Sequence, residues 1–114
     1  MKVIIKKNNI VLAQNVKVAQ TYFAKLKGLM FIKEMKGMDG LIIEDCKSIH
    51  NMFVRFPIDA IFLNRDNQVV KVLRSFKPWR WSWIYFSAKR VLELPAQTTP
   101  DDLVKGDQLE VLGV

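Results

Sequence analysis

Ile58-Asp59-Ala60-Ile61-Phe62-Leu63 runs into Asn64-Arg65-Asp66-Asn67, and Gln68-Val69-Val70-Lys71-Val72-Leu73 follows. Two runs rich in β-branched and aromatic residues, joined by a short Asn/Asp stretch, read as a β-hairpin, because Asn and Asp tolerate left-handed turn geometry. The pattern recurs outward from this point. Val3-Ile4-Ile5 and Ile10-Val11-Leu12-Ala13 flank Lys6-Lys7-Asn8-Asn9 and predict a second hairpin. Gly37, Asp39 and Gly40 mark a turn before a strand at Leu41-Ile42-Ile43, and Ser48–Val54 reads as another. Val91–Leu94 is a strand that ends at Pro95, and Leu109–Leu112 is a last one after the Gly106-Asp107 turn. Pro78 cannot donate to a ladder, so Lys77–Arg80 is expected at an edge or in a loop.

The period changes only between Gln20 and Met30. There Tyr22, Phe23, Leu26, Leu29 and Met30 recur at three and four residues and predict an amphipathic helix, with Thr21 as its cap and Gly28 or the loop to Gly37 as its end. Thr99-Pro100-Asp101-Asp102 resembles the start of a second, short helix. Many short strands beside one clear helix predict a small, mainly β (α+β) sandwich or partly open barrel. The 114 residues show no linker, repeat or low-complexity tract, and one domain over 1–114 is expected.

The net charge of +7 is unevenly placed. Residues 1–36 carry eight lysines and one glutamate, whereas 37–66 and 93–114 are net acidic. Residues 67–92 carry six basic side chains, and no acidic residue occurs between Asp66 and Glu93. Lysine excess at the N-terminus reads as ordinary solubility; the second basic block coincides with something less ordinary. Phe76-Lys77-Pro78-Trp79-Arg80-Trp81-Ser82-Trp83-Ile84-Tyr85-Phe86 gathers all three tryptophans, with Arg74, Lys89 and Arg90 nearby. Aromatic faces beside cations suit an anionic or amphipathic partner. If the segment is extended, Trp79, Trp81, Trp83 and Tyr85 share one face, and Ile84 and Phe86 the other. The same aromatics would also serve to cover the end of a sandwich or to form a dimer interface.

Catalytic signals are sparse. Cys46, Ser48 and His50 alternate, but at roughly 3.3 Å per residue Cys46 and His50 stand about 13 Å apart along a strand. Proton transfer needs about 3 Å, so Cys46 is expected as a small buried hydrophobe. His50 is the only histidine, a poor basis for zinc. His50, Arg55 and Asp59 can form a polar cluster around a pocket, or Arg55 and Asp59 a structural ion pair. Glu93 lies between Leu92 and Leu94, and alternation would put it on a more solvated face. A two-carboxylate hydrolase built on Asp59 and Glu93 would depend on their separation. No phosphate-binding glycine loop, nucleophile elbow or zinc-protease motif occurs.

Lys27-Gly28-Leu29-Met30-Phe31, Gly40-Leu41-Ile42-Ile43, Cys46-Lys47-Ser48-Ile49-His50-Asn51, Arg55-Phe56-Pro57-Ile58-Asp59-Ala60-Ile61-Phe62-Leu63, Lys77-Pro78-Trp79-Arg80, Val91-Leu92-Glu93-Leu94-Pro95-Ala96 and Gly106-Asp107 occur in that order. From about Thr21 onward the chain resembles the uncharacterised family called domain of unknown function 192. The resemblance implies a small, mostly β, jelly-roll-like domain, sometimes exported in relatives, and no established activity. The family pattern matches at His50, Arg55, Pro57, Asp59, Pro78, Trp79, Arg80, Glu93 and Asp107. It departs at Asn64–Asn67, where relatives carry an acidic residue and then glycine, and at Gln97, where glycine is typical.

The expected function is a small non-enzymatic binding module without a cofactor or metal. His50, Arg55 and Asp59 would line or brace a polar pocket beside a surface formed by Trp79, Arg80, Trp81 and Trp83. The expected partner is an anionic small molecule, a protein or a membrane-associated complex. The alternatives are a hydrolytic enzyme using Asp59, His50 and Arg55, and a binder of single-stranded nucleic acid or a membrane surface through residues 74–90. No apolar run approaches a membrane span and no signal peptide is visible, so a soluble, cytoplasmic chain is expected, with export after leader removal left open.

Overall fold

The computed structural model describes residues 1–19, 37–49 and 56–113. They form eight strands: β1 (Lys2–Ile5), β2 (Ile10–Ala13), β3 (Val16–Ala19), β4 (Gly40–Glu44), β5 (Ile58–Leu63), β6 (Val69–Phe76), β7 (Arg90–Pro95) and β8 (Leu109–Leu112). The predicted hairpins are present as β1–β2 and β5–β6, both antiparallel. Asn9 and Asn67 hold positive φ at the two turns, as the Asn-rich linkers led one to expect.

The strands make two sheets. One has three strands in the order β2-β1-β8, and the other has five in the order β3-β4-β7-β5-β6. They do not close into a barrel, and the expected mainly β class holds. β3 runs parallel to β4, and every other ladder is antiparallel. β3 is absent from the sequence reading; its apolar residues, Val16 and Val18, are too few to stand out from the polar Gln14-Asn15 and Lys17 around them. It is placed by Asp39, whose carboxylate accepts the Gln14 N–H at 2.8 Å and the Asn15 N–H at 2.7 Å.

Both faces of the five-stranded sheet are covered. Val3, Ile5, Ile42, Ile61, Leu63, Leu92 and Leu94 meet between the sheets. Leu41, Ile43, Ile58, Ala60, Phe62 and Val91 build a second core on the outer face. This explains why β4, β5 and β7 read as nearly unbroken apolar runs instead of alternating ones. Gly40 faces the intersheet core. A Cβ there would come within 3.2 Å of both the Leu94 and Val16 side chains.

Several expectations change. The helix predicted from Gln20 to Met30 lies outside the described residues. The second helix does not form: 99–107 is a succession of turns, with the Leu103 N–H bonded to the Pro100 carbonyl at 3.1 Å. The reason is tertiary. The Thr99 N–H donates to the buried Asp59 carboxylate, and Arg74 donates to the carbonyls of Thr99, Asp101 and Leu103, which ties the segment down as turns. Of the strand expected at Ser48–Val54, Ser48 and Ile49 belong to no strand, and the rest lies outside the described residues.

Candidate functional site

The segment after β6 leaves the sheet at Pro78, and Trp79 takes a left-handed conformation with φ 63°. Its backbone is then bonded to the 46–49 segment. The Ser82 N–H donates to the Ile49 carbonyl and the Ile49 N–H to Ser82 Oγ, each at 2.9 Å. The Tyr85 N–H donates to the Lys47 carbonyl at 2.8 Å, and Lys47 Nζ reaches back to the carbonyls of Phe86 and Ala88 at 2.8 Å. The Tyr85 ring packs on Phe62, 4.6 Å between centroids. Ser82 and Tyr85 therefore face inward and fix the loop to the second core.

The remaining side chains face out. Trp79, Trp81, Trp83, Ile84 and Phe86 are 54%, 70%, 82%, 57% and 79% exposed. They form a run of large apolar side chains, not scattered single exposures, and such a run marks an interaction surface. The expected division of faces is corrected in one respect. Tyr85 turns away from the tryptophans, while Ile84 and Phe86 join them in solvent. The cause is the turn closed by the Ala88 N–H on the Tyr85 carbonyl, 2.9 Å, which breaks strand alternation. Hydropathy could not reveal this, because an apolar residue in a loop looks the same whether it is anchored or presented.

The cations nearby divide into two groups. Lys77 and Arg80 are exposed beside the tryptophans. Arg74 is bonded to the 99–103 turns, Lys89 to Asp45, and Arg90 to Glu44 at 3.2 Å and to Asn67 Oδ1 at 2.6 Å. Much of the positive charge in 67–92 thus has a structural partner.

The carboxylates behave differently from expectation. Asp59 is 1% exposed. Its Oδ1 accepts the Ser75 N–H at 2.8 Å and its Oδ2 the Thr99 N–H at 3.1 Å. Ser75 needs this acceptor because two residues, Arg74 and Ser75, oppose Asp59 at a β-bulge, where Ser75 has φ 50°. Glu93 is not on a solvated face. It pairs with Leu41 and Ala60 on the central strand β7, is 5% exposed, and burial pushes its carboxyl up from 4.5 to about 8. The alternation argument failed because the outer face of β7 carries the second core. Asp107 is a turn residue. It accepts the Lys7 ammonium at 2.8 Å and the Val104 N–H at 2.9 Å, and these bonds hold its carboxyl below the usual range.

Of the residues expected to form the site, Trp79, Arg80, Trp81 and Trp83 come together on one loop, and Asp59 lies apart from them in the interior. His50 and Arg55 lie outside the described residues. Cys46 is half-buried against the second core and its Sγ donates to the Ser48 carbonyl at 2.9 Å. Among the described residues no group of three or more His, Cys, Asp or Glu is placed to hold a metal ion. A shallow cleft of about 230 Å³, walled by Val18, Ile42, Val111 and the Glu44–Arg90 pair, is smaller than the usual pocket for a small ligand.

The arrangement can be set beside known proteins. The family model DUF192, described as an uncharacterized ACR, matches residues 3–111. The chain belongs to the DUF192 family. A UPF0127 protein of Pyrococcus furiosus is 33% identical over 99 residues, covering 83% of this chain and 84% of its own. A UPF0127 protein of Thermococcus sibiricus is 33% identical over 84 residues, 70% of this chain. The match spans only 54% of the Thermococcus protein's length. Two solved structures share the fold. A Novosphingobium aromaticivorans protein of unknown function superposes with TM-score 0.71 at 23% identity, covering 84% of this chain and 74% of its own. A Sinorhizobium meliloti protein, named only as a candidate transcription regulator, superposes with TM-score 0.77 at 20% identity, covering 96% and 89%. Among the described residues of this DUF192 member, no helix is long and apolar enough to cross a membrane.

Proposed function

We propose that this DUF192 protein is a small, single-domain, jelly-roll-like binding module whose contact surface is the aromatic loop 79–86. One observation carries the reading: Trp81, Trp83 and Phe86 are at least 70% exposed on a loop whose backbone is bonded to Lys47 and Ile49. Presenting large apolar side chains on a fixed frame lowers the ordering cost of binding. His50 and Arg55 remain proposed ligand contacts on the strength of the family pattern, with Asp59 as an internal brace. A hydrolytic role for Asp59 is disfavoured, since both of its oxygens already accept backbone N–H groups.

The test is a binding panel of single-stranded oligonucleotide, lipid vesicles and the protein itself, followed by tryptophan emission and sedimentation. The wild type is expected to bind at least one. Trp83→Ser/Phe86→Ser should weaken that binding about tenfold or more, with the unfolding midpoint unchanged. Binding to none, or binding indifferent to the double variant, overturns the reading.

A further inference from the structure

We infer that the partner of the aromatic loop is an anionic lipid membrane surface, an assignment that rests on the contact-surface reading above. Trp83, Ile84 and Phe86 are the side chains an interfacial insertion uses: amphipathic indole at headgroup level, with Ile and Phe reaching the acyl boundary. Entering that zone is costly for unbonded backbone, and much of the loop's backbone is already bonded within the protein. The N–H groups of Ser82, Tyr85 and Ala88 have carbonyl acceptors, and the carbonyls of Trp83, Tyr85, Phe86 and Ala88 have donors. Charge completes the match. Residues 67–92 contain no acidic side chain, and Lys77 and Arg80 flank the tryptophans in solvent.

The same observations weigh against other occupants. Nucleic-acid affinity grows with the number of phosphates neutralised. Here Arg74, Lys47, Lys89 and Arg90 are bonded within the protein. Ile84 also has no π-face on which a base could stack. A second copy docking through the same patch would bring the Lys77 and Arg80 cations of both copies into one interface that holds no acidic residue of 67–92, because an isologous interface pairs a patch with itself.

The full chain is mixed with vesicles of phosphatidylcholine alone, and with vesicles containing about one-third phosphatidylglycerol, at low and physiological salt. Co-sedimentation and a blue-shifted tryptophan emission are expected with the anionic vesicles, and weaker binding with the neutral ones. Trp83→Ser/Phe86→Ser and Lys77→Glu/Arg80→Glu should each lower vesicle affinity by about tenfold or more, with wild-type unfolding midpoints. No binding to anionic vesicles, or binding that both double variants retain, overturns the lipid assignment. If the loop instead binds oligonucleotide or drives self-association, the lipid assignment fails and the contact-surface reading stands. Failure with all three probes overturns both.

Discussion

Asp59 and Glu93 sit one register step apart on neighbouring strands and face opposite sides of the same sheet. Asp59 is paired with Leu94 and shares the intersheet core's side, whereas Glu93 is paired with Ala60 and looks into the outer core. The two carboxyls cannot flank one substrate bond, so a two-carboxylate hydrolase built on them is ruled out by the ladder itself. Each has its own physical role, and the roles give separable predictions.

Asp59 satisfies two backbone donors that the bulge and the 99–103 turns leave without ladder partners. Asp59→Asn would aim an amide N–H at one of them. The expected loss is about 1–3 kcal/mol, the penalty for a buried donor left unpaired, read as a lower urea midpoint with unchanged slope. Wild-type stability in this variant would show that Ser75 and Thr99 find other acceptors.

Glu93 makes stability depend on pH. Its folded carboxyl titrates at about 8, above the ordinary 4.5. Between those values the folded chain holds a proton that the unfolded chain has released. Stability is therefore greatest below about pH 4.5 as far as this group is concerned, falls as pH rises to about 8, and is flat beyond. The fall is on the order of a few kcal/mol. Glu93→Gln, neutral at every pH, should match the wild type near pH 5 and exceed it at pH 8. Parallel pH profiles for the two proteins would refute the assignment.

Gln97 stands in left-handed backbone, φ 66°, a conformation that favours glycine. Gln97→Gly should raise stability by about 0.5–1 kcal/mol, the steric relief less the added entropy of the unfolded chain. Asn67 has φ 62° as well, but its Oδ1 accepts from Arg90 at 2.6 Å. Asn67→Gly should bring no gain, and equal gains at both sites would show that the Arg90 bond contributes nothing. Thermal unfolding distinguishes the two outcomes.

Thr99 offers a further check. Its hydroxyl is buried without a hydrogen-bond partner among the described residues, while its N–H serves Asp59. Thr99→Val keeps the shape and removes the stranded group, so stability should hold or rise by about 1 kcal/mol. A clear loss would reveal a partner for that hydroxyl.

The aromatic loop should separate folding from binding. Trp83→Ser removes a side chain 82% exposed and should change stability by less than about 0.5 kcal/mol. Tyr85→Ala, two residues on, removes the ring packed at a tilt against Phe62 and should cost about 2–3 kcal/mol. Similar losses at both positions would mean that the tryptophan is part of the core.

Much of this architecture was legible because hairpins are local: Asn9 and Asn67 sit where their turn preference put them. What escaped were long-range effects. Nothing near Thr99 in the chain announces that its N–H will be claimed by Asp59, forty residues earlier, and so a plausible helix start became a turn. Glu93 was misplaced for a related reason, since alternation signals a wet face only if nothing covers it. On the loop, the sequence named Trp79, Trp81 and Trp83 but could not say that they are exposed. The side assigned to Tyr85, Ile84 and Phe86 depended on a turn that periodicity cannot register.

The three-stranded sheet also sets a timetable. Its middle strand β1, near the start of the sequence, is flanked by β2 on one side and by β8, roughly a hundred residues later, on the other. Val3 and Ile5 thus meet Leu109 in the intersheet core only after β8 has been made. On the ribosome, where chains grow at about 5–20 residues per second, the β1–β2 hairpin waits several seconds with the β8 edge of β1 unpaired. Of the described strands, β8 is made after all the others and closes the edge of β1.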